Sequence, residues 1–208
     1  MPKQCIIALD LEGVLSPEIW ISVAEQTKID ELRLTTRDIS DYDELMQRRL
    51  KILDEHNIKL SDIQSVIEKL PLLDGAREFL DELRSTHQVI ILSDTFAEFA
   101  KPIMKNLGYP TLFCHNLEIK DDRIVGYKLR QNNQKQHAVE ALQSLNFAVF
   151  AAGDSYNDVT MLCAADKACL FHATDALKKQ FPQFKAAESY DELMREIVLF
   201  GVSLTMKI

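Results

Sequence analysis

Three short apolar stretches of this sequence each end in a cluster of acidic and hydroxyl side chains. The clusters are the segments Asp10-Leu11-Glu12-Gly13-Val14, Ser93-Asp94-Thr95 and Gly153-Asp154-Ser155-Tyr156-Asn157-Asp158. A carboxylate held at a strand end can attack phosphorus and form an aspartyl-phosphate, which splits one difficult displacement into two easier steps. Asp10, Asp154 and Asp158 also offer the hard oxygen ligands that Mg²⁺ prefers. A single such acid is more often a turn or cap residue, but three similar clusters together favour phosphoryl-transfer chemistry.

Two further features suit an anionic substrate. Lys135 falls in the first turn of a predicted helix that begins near Asn132 or Asn133, where a cation opposes the helix dipole unless an anion lies close by. The alternative is a solvated lysine that turns away, whereas a fixed ammonium would stabilise charge on a transferring phosphoryl group. Ser93 and the free amides of the next helix start could hold phosphate oxygens, although Thr95-Phe96-Ala97-Glu98 also predicts a capping box.

Alternating strand and helix patterns must position these groups. Apolar runs at 5–9, 88–92, 147–151 and 168–171 predict buried parallel strands, with a weaker run at 111–114. Helical patterns follow at 75–85, 95–107, 133–145, 155–165 and 190–199, and residues 117–129 predict a hairpin that turns at 120–123. This alternation predicts an α/β fold, a doubly wound parallel sheet with a Rossmann-like core. The carboxyl ends of its strands would bring the three clusters to one edge.

The segment from Pro17 to Pro71 has no strand signal and shows only helical patterns, such as 41–55 and 61–70. We therefore predict a core domain of residues 1–16 and 72–208, with residues 17–71 inserted after the first strand as a helical cap domain over the carboxyl edge. In this segment, Arg49 shares the apolar stripe of its helix, which suits a bidentate carboxylate contact or an ion pair where cap meets core. Glu18 would lie in a first helical turn, where a carboxylate suits the dipole. Together, Glu18 and Arg49 could receive the ammonium and carboxylate of an amino acid.

The composition fits one domain, or one core with a small insertion. The chain has 208 residues, 47% of them apolar and 27% charged, and a formal charge of −8, which argues against a nucleic-acid or anionic-membrane partner. No stretch approaches the ~20 apolar residues of a membrane span, and the first apolar run is too short for a signal peptide. The four cysteines form no CxxC pair, so we expect buried, reduced thiols. We expect a cytoplasmic monomer or homodimer.

The order of these motifs resembles the haloacid dehalogenase (HAD) superfamily, in its phosphoserine phosphatase branch with a helical cap. Three more segments carry the resemblance: Pro17-Glu18-Ile19-Trp20, Thr35-Thr36-Arg37-Asp38-Ile39 and Leu92-Ser93-Asp94-Thr95-Phe96. The resemblance covers nearly the whole chain and implies a HAD-like fold. It also implies hydrolysis of O-phospho-L-serine to L-serine and phosphate, and it is nearest to the bifunctional phosphoserine phosphatase/homoserine phosphotransferases, which also use L-homoserine as acceptor.

The resemblance implies roles for the residues that match its motifs. Asp10 would be the nucleophile and a Mg²⁺ ligand, together with Asp154 and the main-chain carbonyl of Glu12, while Asp158 supports the metal site. The usual acid/base of the superfamily is an aspartate two residues after the nucleophile. Glu12 stands there in this sequence, as it does in the phosphoserine/homoserine branch, so we expect Glu12 to act as general acid/base.

The remaining matches concern the substrate. The residues that would hold its phosphate group are Ser93, the amide of Asp94 and Lys135. Asn157 would bind or orient the substrate, and Glu18 and Arg49 match cap positions that grip the amino acid portion.

Three other functions fit parts of the pattern. A phospho-aspartate receiver module also combines an aspartate, a hydroxyl residue and a lysine, but it normally places two adjacent acids after its first strand and carries no helical insertion. A catalytically silent metabolite-binding fold would have lost Asp10 or Asp154, and both are present. A phosphatase of the same fold could act on another small metabolite, although Glu18 and Arg49 favour a zwitterion.

Overall fold

The structure is a computed structural model that describes residues 4–35, 38–39 and 41–205, and its centre is one seven-stranded sheet. The strands are β1 (Cys5–Leu9), β2 (Gln88–Phe96), β3 (Thr111–Lys120), β4 (Arg123–Lys128), β5 (Ala148–Gly153), β6 (Lys167–Phe171) and β7 (Lys185–Ala187). Their order is β4-β3-β2-β1-β5-β6-β7, and neighbours run parallel except for the antiparallel pair β3 and β4. The predicted doubly wound α/β fold is therefore confirmed.

Helices cover both faces of this sheet, and the first three helices of the chain lie in the segment that follows β1. The helices are α1 (Ile19–Thr27), α2 (Tyr42–Glu55), α3 (Leu60–Ile67), α4 (Ala76–Thr86), α5 (Ala97–Asn106), α6 (Gln134–Ser144), α7 (Val159–Ala164), α8 (Asp175–Gln180) and α9 (Tyr190–Thr205). Because successive side chains of a strand point to opposite faces, Ile7 and Leu9 of β1 join the apolar cluster that includes α4 and α9. Ala8 joins the other cluster, with α6 and α7. The apolar runs of the sequence are thus buried on both sides, as parallel strands require.

The segment 17–71, which lies between β1 and α4, is helical wherever the structure describes it, apart from its connecting loops. It contains α1 to α3 and a short 3₁₀ helix at Asp30–Arg33. The Asp41 side chain accepts a hydrogen bond from the Glu44 amide at 3.0 Å and so caps α2. Apolar residues of this segment, including Val23, Met46 and Ile63, belong to the same buried cluster as Ile7 of the sheet. Thr36 and Arg37, which belong to the motif at 35–39, lie outside the described residues.

The predicted hairpin is confirmed, and it reaches across to α2 and α3. Asp122, in the turn between β3 and β4, accepts hydrogen bonds from the Ser61 amide (3.1 Å) and hydroxyl (2.6 Å). Arg123 Nη1 donates to Asp54 Oδ1 at 2.9 Å, and its Nη2 donates to Asn57 Oδ1 at 2.8 Å. The hairpin therefore ties the helical segment to the edge of the sheet.

The structure corrects the capping box predicted at Thr95. β2 does not stop at Leu92 but continues to Phe96, because its pairing with β3 resumes at Phe96 and His115 after an irregularity. Thr95 therefore belongs to the strand, and Phe96 precedes α5 without a side-chain cap. The Glu98 carboxylate accepts a hydrogen bond from the Leu117 amide instead. Irregular pairing of this kind commonly re-aims side chains beside active sites.

Other differences concern short elements and the cysteines. β7 and α8 were not predicted, since three and six residues are too few for a clear periodic pattern. The helix predicted at 155–165 begins with a 3₁₀ turn at Tyr156–Asp158.

All four cysteines are free, but only Cys169 is buried, and the expectation of a buried thiol is wrong for the exposed Cys163. Within the described ranges, no helix is both long and apolar enough to cross a bilayer.

Candidate active site

The three polar clusters line one cavity of about 770 Å³ at the carboxyl ends of the strands. Residues of the helical segment between β1 and β2 line the same cavity. Nine of the ten predicted site residues contribute to it: Asp10, Glu12, Glu18, Arg49, Ser93, Asp94, Lys135, Asp154 and Asn157. The tenth, Asp158, is fully buried and contacts Lys135. The parallel direction of β1, β2 and β5 explains this convergence, because equivalent ends of parallel strands meet at one edge.

Asp10, Asp154 and Asp158 form a compact acidic cluster. One carboxylate oxygen from each lies within 4.8 Å of the others. Gly13 makes the close approach possible, since a Cβ there would lie 2.3 Å from Asp154 Cγ and its φ of +77° disfavours other residues. Crowded carboxylates of this kind repel one another, and their hard oxygens suit a divalent cation. The residues present therefore fit a metal site.

Lys135 is the cation at the centre of this cluster. Its Nζ lies 2.9 Å from Asp10 Oδ1, 2.7 Å from Asp158 Oδ1 and 3.7 Å from Asp94 Oδ2. Although burial opposes the charged form, these three carboxylates hold the pKa of Lys135 well above its usual value. The alternative of a solvated lysine is wrong, because only 3% of the residue is exposed. The predicted start of its helix is confirmed, with Asn133 as the residue before α6.

Asp10 and Asp158, the two acids nearest to Lys135, have different surroundings. Asp10 Oδ1 accepts a hydrogen bond from the Leu11 amide at 2.8 Å. Burial, followed by the charges of Asp158 and Asp154, raises the pKa of Asp10 against the opposing effect of Lys135. Asp158 Oδ2 accepts hydrogen bonds from the amides of Asp154 (3.0 Å) and Ser155 (3.2 Å). Asp158 therefore holds Lys135 and the loop after β5 in place, whereas Asp10 lines the cavity.

Glu12 lies where the first cluster meets the helical segment. Its Oε2 accepts a hydrogen bond from the Ile19 amide, at the start of α1, at 2.8 Å. Burial and the nearby charge of Glu18 raise the pKa of Glu12 to about 7, against hydrogen bonds from Ile19 and Thr95 and the charge of Arg49. A carboxyl group with this pKa can both give and take a proton near neutral pH.

Glu18 and Arg49 face the cavity from the helical segment. Glu18 immediately precedes α1 and makes no side-chain hydrogen bond to the first amides of that helix. The Arg49 guanidinium lies 4.4 Å from the centre of the Trp20 ring, and its Nη2 donates to the Leu34 carbonyl at 2.9 Å. Burial lowers the pKa of Arg49 to about 10 despite the nearby Tyr42, Glu12 and Glu18.

Two features of Arg49 bear on its role. Its Nε atom is buried and has no hydrogen-bond partner. Among the described residues no carboxylate forms an ion pair with it, so the predicted alternative of an ion pair between cap and core is not borne out there. The guanidinium, whose Nη1 also lies 3.7 Å from Met46 Sδ, is therefore not paired with a described carboxylate.

His115 and Gln134 were not among the predicted site residues, yet both line the cavity beside Asp94. Burial alone would raise the pKa of Asp94. The charge of Lys135 and hydrogen bonds from His115, Gln134 and Asn157 outweigh this effect and hold the pKa well below its usual range. The predicted strand ended at Cys114, just before His115, whereas β3 continues to Lys120. Gln134 had a local signal, because it directly precedes Lys135 in the first turn of α6.

Comparisons with known proteins agree with this geometry. The family of haloacid dehalogenase-like hydrolases matches residues 22–162 of this chain. Phosphoserine phosphatase ThrH of Pseudomonas aeruginosa is 59% identical over 93% of this chain and 95% of its own length. The phosphoserine phosphatase of Pseudomonas syringae pv. tomato is 57% identical over 93% of this chain and 82% of its own length.

Solved structures share the fold. A phospho-aspartyl intermediate analogue of phosphoserine phosphatase matches with a TM-score of 0.75 and 20% identity, over 95% of this chain and 99% of that one. A substrate-bound phosphoserine phosphatase complex matches with a TM-score of 0.75 and 20% identity, over 96% and 99% of the two chains. At this level of identity the two structures show a common fold.

Proposed function

Since the chain belongs to the family of haloacid dehalogenase-like hydrolases, we propose that it hydrolyses O-phospho-L-serine to L-serine and phosphate through a phosphorylated Asp10. The observation that carries this proposal is that the Asp10 cluster and the pair Glu18 and Arg49 line one cavity. The cluster suits chemistry at phosphorus, and the pair suits the ammonium and carboxylate of an amino acid. Two relatives that are 59% and 57% identical are phosphoserine phosphatases, which supports the same substrate.

We propose Mg²⁺ as the cofactor, held by the carboxylates of Asp10 and Asp154 and by the main-chain carbonyl of Glu12. The close approach of the three acids supports a small cation that prefers oxygen ligands. When bound, the ion would offset the repulsion between the Asp10 carboxylate and an anionic phosphate. Asp158 already accepts hydrogen bonds from Lys135 and from two amides. We therefore assign Asp158 to the support of the site rather than to direct contact with the metal.

In the first step, a carboxylate oxygen of Asp10 forms a bond to phosphorus while the bond between phosphorus and the seryl oxygen breaks. Ser93, the Asp94 amide and Lys135 hold the phosphate oxygens and stabilise the charge that develops on them, with Asn157 beside them to orient the substrate. Glu12 donates its proton to the seryl oxygen as L-serine leaves. A pKa of about 7 makes the protonated form of Glu12 available for this step.

In the second step, the Glu12 carboxylate takes a proton from a water molecule, and the water oxygen bonds to phosphorus. Phosphate leaves, and Asp10 is regenerated. If L-homoserine occupies the position that L-serine has left, its hydroxyl gives its proton to Glu12 and accepts the phosphoryl group instead. Transfer requires that water be kept out, and closure over an active site is the common means.

We propose that residues 17–71 serve as this cover, a cap domain over a core of residues 1–16 and 72–208. The helical character of the segment and the position of Glu18 and Arg49 on the cavity wall support this division. The contacts of the hairpin turn with Ser61 would then hold the cap in place. Access of water and exchange of serine for homoserine would both depend on this cover.

The test is an incubation of the purified protein with Mg²⁺ and O-phospho-L-serine, with and without L-homoserine, followed by phosphorus NMR. We expect free phosphate in the first tube and phosphohomoserine, formed at the expense of phosphate, in the second. The Asp10→Asn variant and a sample with a chelator in place of Mg²⁺ serve as controls, and both should be inactive. Phosphate alone in both tubes would exclude the transfer to homoserine. Intact phosphoserine in both tubes would contradict the substrate and point to another phosphomonoester.

A further inference from the structure

A buried set of polar side chains converges on the carboxylate of Asp94. His115 Nε2 lies 3.5 Å from Asp94 Oδ1, and Gln134 Nε2 donates to the same oxygen at 3.2 Å. His115 and Gln134 are only 4% and 2% exposed. The other oxygen of Asp94, Oδ2, lies 3.3 Å from Asn157 Nδ2 and 3.7 Å from Lys135 Nζ. Asp94 therefore connects a buried scaffold to two groups that face the phosphate position.

The two nitrogens of His115 have different partners. The Arg130 amide donates a hydrogen bond to His115 Nδ1 at 3.1 Å, so Nδ1 is the acceptor and the ring proton lies on Nε2, which is 3.5 Å from Asp94 Oδ1 and 3.3 Å from Gln134 Nε2. The amide group of Gln134 is oriented in the same way. The Arg130 guanidinium donates twice to Gln134 Oε1, at 2.9 and 3.1 Å, which turns the Gln134 NH₂ group toward Asp94 and the Ser93 carbonyl.

Asp94 is an unusual neighbour for a phosphate group, because its negative charge repels the ligand. The position of its carboxylate therefore matters. Oδ1 is held by the side-chain nitrogens of His115 and Gln134, whereas Oδ2 lies beside Lys135 and Asn157. A carboxylate released from His115 could turn toward the phosphate position or draw Lys135 out of line.

We propose that His115 is a positioning residue that acts through Asp94 to align Lys135 and Asn157 for the phosphoryl group. This inference rests on the proposed function only in that the cavity binds a phosphate group. It adds to that function a role for His115, a residue of β3 that need not touch the substrate. The competing role is purely structural, since the His115 ring also lies 6.3 Å from the Phe96 ring and anchors the Arg130 amide.

Two conservative variants separate these roles. In His115→Asn, the side-chain oxygen can take the place of Nδ1 and accept the Arg130 amide, but the shorter side chain does not reach Asp94. In His115→Gln, the side-chain nitrogen can take the place of Nε2 and donate to Asp94, while the contact with Arg130 is lost. Affinity for inorganic phosphate is measured by calorimetry in the presence of Mg²⁺, together with kcat, KM and the thermal midpoint.

We expect His115→Asn to bind phosphate roughly tenfold more weakly, in line with the loss of one hydrogen bond to a charged group. His115→Gln should restore most of the affinity, even if its thermal midpoint is lower. Equal losses in both variants, or unchanged affinity in His115→Asn, would overturn the proposal. In an Asp94→Asn background, His115→Asn should cause no further loss, and additive losses would also overturn it.

A measurement on the unaltered protein covers the case of variants that do not fold. With ¹⁵N-labelled histidine, we expect His115 to carry its proton on Nε2 at neutral pH, and we expect this signal to shift when inorganic phosphate is added. A proton on Nδ1 of His115, or a His115 signal that does not shift when phosphate is added, would overturn the proposal. Phosphate binding without hydrolysis of phosphoserine would contradict the proposed substrate alone, so the two failures are distinguishable.

Discussion

The two ends of the cavity are built in opposite ways. At the end formed by the strand termini, Lys135 contacts three carboxylates, and Asp158 accepts hydrogen bonds from the lysine and from two amides. At the end formed by the helical segment, Arg49 keeps a buried Nε atom without a partner, and Glu18 forms no side-chain bond with the amides of α1. The lysine of the first end is therefore already paired with carboxylates of the protein, whereas the second end offers opposite charges to a ligand.

The difference indicates a division of labour. A buried polar atom without a partner costs stability, so the state of Arg49 is explained if a ligand carboxylate completes its contacts. Charges that are already in place at the other end would act on the phosphoryl group of a substrate without the cost of rearrangement during the reaction. Substitutions at the strand termini should therefore affect every phosphate ester, whereas those in the helical segment should affect amino acid substrates selectively.

The largest effect is expected for Asp10→Asn. This change should lower kcat by about 10³-fold or more, both for phosphoserine and for a simple aryl phosphate, because the nucleophile is lost. Circular dichroism should show an intact fold, since the asparagine oxygen can still accept the Leu11 amide hydrogen bond. Retention of activity toward either ester would contradict the role of Asp10.

Gly13→Ala should come next, because it crowds the acidic cluster. The added methyl group would lie 2.3 Å from Asp154 Cγ, and the φ of +77° adds strain, so Asp154 must move. We expect weaker metal binding and a loss of about 10²-fold in activity toward both esters, comparable to the loss of a hydrogen bond that orients a metal ligand. The matched control is Gly201→Ala in α9, where an added Cβ meets no atom within 4 Å. If the two variants have equal metal affinity, the acidic cluster does not hold the metal.

Arg49→Met should act at the other end of the cavity. We expect KM for phosphoserine to rise about 10- to 100-fold, which is the value of a charged hydrogen-bonded contact, with little change for an aryl phosphate that lacks a carboxylate. Arg48→Met is the control, because Arg48 is the preceding residue of α2 and is exposed. An equal rise in KM for both esters would contradict the proposal that the two ends of the cavity have separate roles.

Asp122→Ala should have the smallest effect. It removes the acceptor for the Ser61 amide and hydroxyl, and so loosens one contact between the hairpin and α3. Exposed contacts of this kind contribute little, so we expect a small rise in KM for phosphoserine and more hydrolysis relative to transfer. Asp121→Ala, at the neighbouring turn position with a similar positive φ, is the control. Identical ratios of phosphate to phosphohomoserine in the two variants would exclude a role of this contact in keeping water out.

Local sequence patterns were enough to predict the main elements and the reactive groups. The run Cys5–Leu9 is a strand with the predicted bounds, because its continuous apolar character is a local property. The position of Asp10 directly after it follows from the same pattern. Lys135 was also predictable, since a cation in a first helical turn needs an anion nearby, and the structure supplies three.

Other features depend on residues that are far apart in the sequence. Whether Thr95 caps a helix or extends a strand is decided by the pairing of Phe96 with His115 on the next strand. The contact of Gln134 with the Ser93 carbonyl spans 41 residues, and no local pattern announces it.

The reactive groups of this protein, their order and the strands that carry them follow from local sequence, because each strand and its terminal residues are set by neighbouring side chains. Which of these groups are paired, and which are left for a ligand, depends on contacts between distant segments of the folded chain. Hydrogen bonds and burial at Asp94 and His115 come from segments that meet only when the sheet is assembled, and those at Arg49 come from the packing of α2 against Leu34 and Trp20. The identity of the reactive side chains is therefore a local property of the sequence, whereas their pairing and burial are properties of the folded chain.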